Sequence, residues 1–293
     1  MTIKDLLPDM QCELPNIPMS INQVGVNDIE VPFLLESKYG GFRQLIANIT
    51  IMTDLDKSTK GISMSRLLLT LKPYLELPLK SRLIRDIIEK ILINVGGTSA
   101  FMRFEFKLPL NKKSIKTDNE FPIYYKCKFE GQIFKSDIGL SSDTKAPMNI
   151  FRFFQGVTVQ YASYCPCSAE LCNVLDGNGF PHNQRSFAHI LTEIDTDHYV
   201  WLEDIINAVE NNIHTLIYPI IKRIDEQEIA KVAAKNPLFV EDSIRIISDS
   251  INKLPGILDW IIKCIHQESI HPSNAIAINW KGIVGGFDGR KYI

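Results

Sequence analysis

The amino-acid sequence predicts an α+β fold built from two alike halves, each in the order strand, strand, helix, helix, strand, strand. Three observations predict it. Long runs alternate apolar and polar residues, the pattern of strands half-buried in antiparallel sheets. Between pairs of these runs, apolar residues recur every three or four positions, as on amphipathic helices. The same order then occurs twice without obvious sequence identity between the copies, which indicates two related modules, each packing helices on one sheet face.

Residues 1–22 contain Pro8, Pro15 and Pro18, lack sustained periodicity, and read as an extended arm. From Val24, VGVNDIEVPFLLE and FRQLIANITIMTDL form a hairpin turned at SKYGGF. SMSRLLLTLKPYLELPLKSRLIRDIIEKILIN has helical spacing; Pro73 and Pro78 break it, and Gly96 and Gly97 stop it. SAFMRFEFKLPL and PIYYKCKFEGQIFK then read as strands joined by a Lys-rich loop at 111–120. The stretch 136–149 is the expected linker, so the modules are placed at 23–140 and 141–293. In the second module, IFRFFQGVTVQYASY and RSFAHILTEID read as strands. WLEDIINAVENNIHTLIYPIIKRI reads as one helix, with Glu203 and Asp204 favouring its N-terminal dipole, and NPLFVEDSIRIISDSINKL as another. GILDWIIKCIHQES and SNAIAINWK close the module as strands.

Composition narrows the function classes. With 45% hydrophobic and 23% charged residues, the 293-residue chain is an ordinary globular protein able to bury a large core. A net charge of −2 gives no footprint for nucleic acid or an anionic membrane, and neither is expected as a partner. The stretch MTIKDLLPDMQCELPNIP has no apolar signal core, and no run reaches about 18 apolar residues, so a cytoplasmic protein is expected. In a reducing compartment, six cysteines with three of them clustered point to metal binding or catalysis rather than cross-linking.

Four stretches carry chemistry. CPCSAELC and the later HNQRS bring Cys165, Cys167, Cys172 and His182 close in sequence. A structural zinc site would need a second close pair of ligands, which is missing; Cys165 and His182 fit the incomplete set of a catalytic metal equally as well as two small buried thiols at a strand end. CIHQESIHPSNAIA holds His266, Glu268 and His271 at a strand-to-turn junction, a place for active-site groups or a solvated loop. Glu241, after the apolar LFV, is a helix N-terminal acid or a carboxylate able to accept two parallel N–H donors from a guanine. KSTKGISMSR, with Ser63, Ser65 and Arg66, is a phosphate-binding helix start or a plain N-cap.

Together and in this order, VGVNDIEVPF, KGISMSR, CPCSAEL, HNQRS, NPLFVEDSIR, ESIHPSNAIA and the terminal GGF resemble the prokaryotic type IB GTP cyclohydrolases of the tunnelling-fold superfamily, over nearly the whole chain. The resemblance implies tandem tunnelling-fold modules that close into barrels by oligomerisation. It implies hydrolysis of GTP at C8 to 7,8-dihydroneopterin triphosphate and formate, the first step toward tetrahydrofolate. A divalent metal ion, zinc or manganese, is implied, with Cys165, His182 and Glu226 as its ligands. Cys165, His182 and His271 are the implied catalytic residues, His271 in proton transfer; Glu241 anchors the guanine edge, Glu268 lies beside the substrate, and Arg66 and Arg185 face the triphosphate. A homotetramer with sites at subunit junctions is also implied. Cys167 and Cys172 match no family role.

Two features depart from the family. Ser63 stands where the family commonly has a histidine in G-x-H-M-S-R, and the loop between Cys165 and His182 is longer than the family's. Two other readings are kept: a pterin- or deazapurine-directed enzyme such as a nitrile reductase, with Cys165 as nucleophile, and a nucleotide-binding scaffold without catalysis, which Ser63 favours.

Overall fold

The computed structural model describes residues 10–136, 148–175 and 180–289. Eight strands are hydrogen-bonded in chain order, from β1 to β8. They are β1 (Ile21–Glu36), β2 (Phe42–Leu55), β3 (Ala100–Lys113), β4 (Glu120–Ser136), β5 (Met148–Tyr164), β6 (Asn183–Ile194), β7 (Ile257–His266) and β8 (Ala275–Trp280). The chain divides into two compact units, Met1–Phe106 with Phe129–Phe153, and Lys107–Lys128 with Phe154–Ile293. β3, β4 and β5 therefore contribute residues to both. The linker expected at 136–149 lies almost wholly outside the described residues, as do residues 1–9 of the arm.

In the first unit, β1 and β2 form the expected antiparallel hairpin, with Phe33 opposite Leu45 and Val31 opposite Ala47. The alternation read in the sequence is the alternation of burial: Ala47, Ile49, Ile51 and Thr53 face inward, while Asn48 and Thr50 between them are less covered. β3 continues the sheet with Ile51 opposite Met102. The helical stretch is split as the prolines require, into α1 (Met64–Leu71), a 3-10 turn at Lys72–Tyr74, and α2 (Ser81–Val95). Gly96 ends α2 in the left-handed region at φ 78°, where a side chain would be strained. Ile84, Ile87, Ile88 and Ile91 form the buried stripe of α2, and Ile84 and Ile88 reach β4 at Gly131.

The second unit departs from the sequence reading in three places. The helix expected across 201–224 ends early: α4 is Leu202–Glu210. Asn211 caps it and the Asn212 side chain donates to the Ala208 carbonyl at 2.9 Å, the local bonding by which asparagine ends helices. The apolar residues that follow extend along β5 instead, with Ala162 N–H donating to Thr215 O at 2.8 Å and Leu216 bridging Tyr161. A separate helix, α5 (Arg223–Lys235), starts where the sequence suggested a helix end. CPCSAELC is not a strand end but α3 (Pro166–Leu175), with proline at its first position, where the missing N–H costs nothing. α6 (Val240–Asn252) follows expectation and packs against β7 and β8 through Ile244, Ile247 and Ile251. The second half thus has one helix between β5 and β6 and three between β6 and β7, rather than a plain copy of the first.

Two buried carboxylates staple this unit. Asp225 lies at the N-terminus of α5 and accepts hydrogen bonds from Lys116 N, Thr117 N, the Thr117 hydroxyl and Lys222 N at 2.7–3.0 Å, which fastens the β3–β4 turn to that helix. These donors, acting against burial, hold its carboxyl down at about 2. Asp259 accepts from Trp260 N and Gly282 N at 2.9 Å and from Phe287 N at 2.7 Å, binding the segment after β8 back onto β7. Gly286 sits against it: a Cβ there would come within 2.0 Å of Asp259 Oδ2. Phe287 then packs on Phe154, Leu191 and Ile261.

Candidate active site

The ends of β5, β6 and β7 and the first turn of α6 gather polar groups within the second unit. Cys165, half-buried, follows β5 directly and starts α3; its carbonyl accepts from Ala169 N at 3.0 Å. Its own N–H donates to the carbonyl of His182 at 3.2 Å, so the thiol and the imidazole leave adjoining backbone. His182 precedes β6, and its Nδ1 lies 3.2 Å from Gln184 Oε1 and 3.5 Å from Ser269 Oγ. Its N–H donates to Ser168 Oγ at 3.4 Å, a link to α3 itself. Because strand residues two apart share a face, Gln184 follows His182 inward, and its amide nitrogen donates to Glu268 Oε1 at 3.3 Å. Glu268 stands just past β7, held in register by Gln267 N–H donating to Arg185 O at 3.0 Å.

A buried polar row lies beneath. Ser163 and Ser186 hydroxyls are 2.8 Å apart, and Tyr161 OH lies 3.0 Å from His266 Nε2, with Ser243 Oγ of α6 at 3.4 Å. Burial lowers the His266 imidazole to about 4, with the Glu241 charge opposing it, so the ring is neutral at neutral pH. Burial also raises the Tyr161 phenol. Glu241 itself is exposed in the first turn of α6, which is anchored to the site by Leu238 N donating to Tyr164 O at 3.1 Å. Cys264 is pushed up to about 12 by burial and is an inert thiol of the core.

The residues read from the sequence therefore fall into groups. Cys165, His182 and Glu268 come together, the last through Gln184, and Glu241 bears on the same region through His266. His271 lies exposed in the β7–β8 turn and Glu226 exposed in the first turn of α5; neither side chain makes a hydrogen bond or ion pair among the described residues. Arg185 points to the other face of β6 and donates to Gln160 Oε1 at 3.1 Å. Arg66 belongs to the first unit and donates to the Asn94 carbonyl at 3.3 Å. Ser63 is the N-cap residue of α1, but its hydroxyl makes no capping bond. Among the described residues, no group of three or more His, Cys, Asp or Glu is gathered to hold a metal ion. One chain supplies a thiol and an imidazole from adjoining backbone, a partial donor set of the kind that suits a borderline cation such as zinc and requires further donors.

Sequence reasoning missed Gln184, Ser269, Tyr161 and Ser243. Gln184 could have been found from its i, i+2 relation to His182; the others depend on pairing between distant strands.

Solved structures define the class. Uricase from Bacillus fastidious has a TM-score of 0.57 to this chain at 8% identity, covering 89% of this chain and 93% of that one. Urate oxidase from Bacillus subtilis 168 has a TM-score of 0.51 at 8% identity, covering 88% and 97%. The chain has the mixed α/β tunnelling fold of these proteins. Sequence places it more narrowly: the model for type I GTP cyclohydrolase FolE2 matches residues 7–277, and the chain belongs to that family. Relatives include GTP cyclohydrolase FolE2 of Geobacter metallireducens, 30% identical over 92% of this chain and 95% of the relative, and that of Hydrogenovibrio crunogenus, 29% identical over 96% of each.

Proposed function

We propose that the chain is a type IB enzyme that opens GTP at C8 to give 7,8-dihydroneopterin triphosphate and formate, in the cytoplasm, at sites shared between the subunits of a homotetramer. Family membership makes it a GTP cyclohydrolase of folate biosynthesis. The observation that supports the finer reading is the juxtaposition of Cys165 with His182 beside Glu268 and the Glu241 turn.

In this proposal Cys165 and His182 hold a divalent cation and Glu226 completes the set, across a subunit junction; the modules 23–140 and 141–293 act as one catalytic unit. Such a cation, when bound, lowers the pKa of water toward neutrality. Glu241 accepts N1–H and the 2-amino group of guanine in a bidentate pair, which fixes the purine and selects it over adenine. Glu268 lines the pocket on the β7 side, and His271, on an exposed turn that can adjust, moves protons to and from the opening ring. Arg66 and Arg185 receive the triphosphate.

Purified protein loaded with Zn²⁺ or Mn²⁺ is expected to convert GTP to a fluorescent pterin with formate released in equal amount. Cys165→Ala is expected to abolish turnover and to lose bound metal together. Retention of full metal content by Cys165→Ala would remove the thiolate from the ligand set and favour a nucleophilic cysteine instead.

A further inference from the structure

We infer that Gln184 and Glu268 form a relay that sets the tautomer of His182, making Gln184 a positioning residue and presenting Nε2 as the free lone pair. This rests on the reading of His182 as a cation donor. An ionised carboxylate only accepts hydrogen bonds, so the partner of Glu268 Oε1 must be the Gln184 amide nitrogen, 3.3 Å away. That orients the whole amide and turns Gln184 Oε1 toward His182 Nδ1, 3.2 Å away.

A carbonyl oxygen also only accepts, so the proton of the neutral imidazole sits on Nδ1. The lone pair is then on Nε2, away from the relay. Ser269 Oγ, 3.5 Å from Nδ1, is a hydroxyl that can accept from or donate to the same nitrogen, so it is compatible with either tautomer and the Gln184 carbonyl decides between them. Gln184 is buried on the inward face of β6, which limits its amide's access to solvent partners. Without the relay an isolated neutral imidazole divides its proton between both nitrogens, and part of the population offers no lone pair at Nε2. The arrangement works like a carboxylate orienting a metal-bound histidine, with an amide inserted between the two.

The test uses the full chain, metal-free, with ¹⁵N-labelled histidine, and reads the tautomer of His182 from long-range proton–nitrogen correlations; Zn²⁺ affinity is measured in parallel. Wild type is expected to hold His182 as the Nδ1–H form. Gln184→Leu is expected to shift it toward Nε2–H and to weaken Zn²⁺ binding roughly 10- to 100-fold. Glu268→Gln, which keeps an acceptor for the amide, is expected to retain most of that affinity, and Glu268→Leu to lose it. An Nε2–H imidazole in wild type, or a tautomer unmoved by Gln184→Leu in a folded protein, overturns the relay. His182→Ala separates the underlying reading: unchanged Zn²⁺ affinity there removes the ligand role of His182, while the tautomer measurement still decides the relay.

Discussion

His266 is a titratable group kept neutral by its surroundings. It lies under Tyr161 and Ser243, and burial holds its folded-state pKa near 4, below the value of about 6.5 expected when unfolded. Between those values the unfolded chain takes up a proton that the native chain refuses, so stability is fully present above about pH 6.5 and is lost as pH falls toward 4. The loss is expected to be on the order of 3 kcal/mol, and urea unfolding at a series of pH values measures it. His266→Gln should flatten that slope; an unchanged slope would mean that another group titrates. The sequence displayed this histidine beside Glu268 and His271 but gave no means of telling the buried ring from the exposed one. Burial came from β7 pairing with β6, where Ser186 sits opposite His266, a relation that no local spacing contains.

At the scale of elements, strands were the most legible. Alternating runs of nine or more residues located all eight strands among the described residues, because most of these runs have one face packed more closely than the other. Helices were less so where polar residues decide. The periodicity of WLEDIINAV was real, yet Asn211 and Asn212 end the helix, and the apolar IHTLI beyond them bonds to β5. α5 was hidden by its own charge, since RIDEQE carries little apolar stripe; what starts it is Asp225, tied to Lys222 and the β3–β4 turn. The carboxyl of Asp225 lies well below its unfolded value, so its stabilisation is present above about pH 4 and is lost as pH falls from there toward 2. Asp225→Asn is expected to lower Tm at neutral pH and to remove that part of the acid unfolding limb, which thermal scans between pH 7 and 2 would reveal. A variant with the same acid limb as wild type would assign the limb to other carboxylates. The sequence drew attention to Glu226, one residue on, which is exposed; the neighbour does the fastening.

For the whole molecule, the order of eight strands makes β1 and β8 the end strands, each with one strand partner among the described residues. Exposed large apolar side chains accompany both, with Ile21 on β1 and Ile276 and Trp280 on β8. Among the described residues no helix is long and apolar enough to cross a membrane. A single chain also gathers no complete cation set among its described residues. The exposed apolar side chains on the two end strands suit the proposed tetramer, and light scattering is expected to give four times the 33.3 kDa chain mass. A monomer that turns over GTP would refute shared sites. The family resemblance was carried by short motifs spread along the chain, most of which stand at a strand end or helix start, where chemistry is presented, while VGVNDIEVPF lies within β1. Which of them meet within one chain was not legible, since that depends on register between β5, β6 and β7.

Apart from the bridge from Leu34 to Pro78, the outer margins of β1 and β8 carry no ladder partner among the described residues, and this has a consequence for handling the protein. A row of unsatisfied amides will bond to any matching row, and nothing in that chemistry distinguishes a finite ring from an endless ribbon. Only the angle between successive copies decides, so conditions that loosen this angle without melting the strands, such as mild acid, are those under which filaments would grow at the expense of rings.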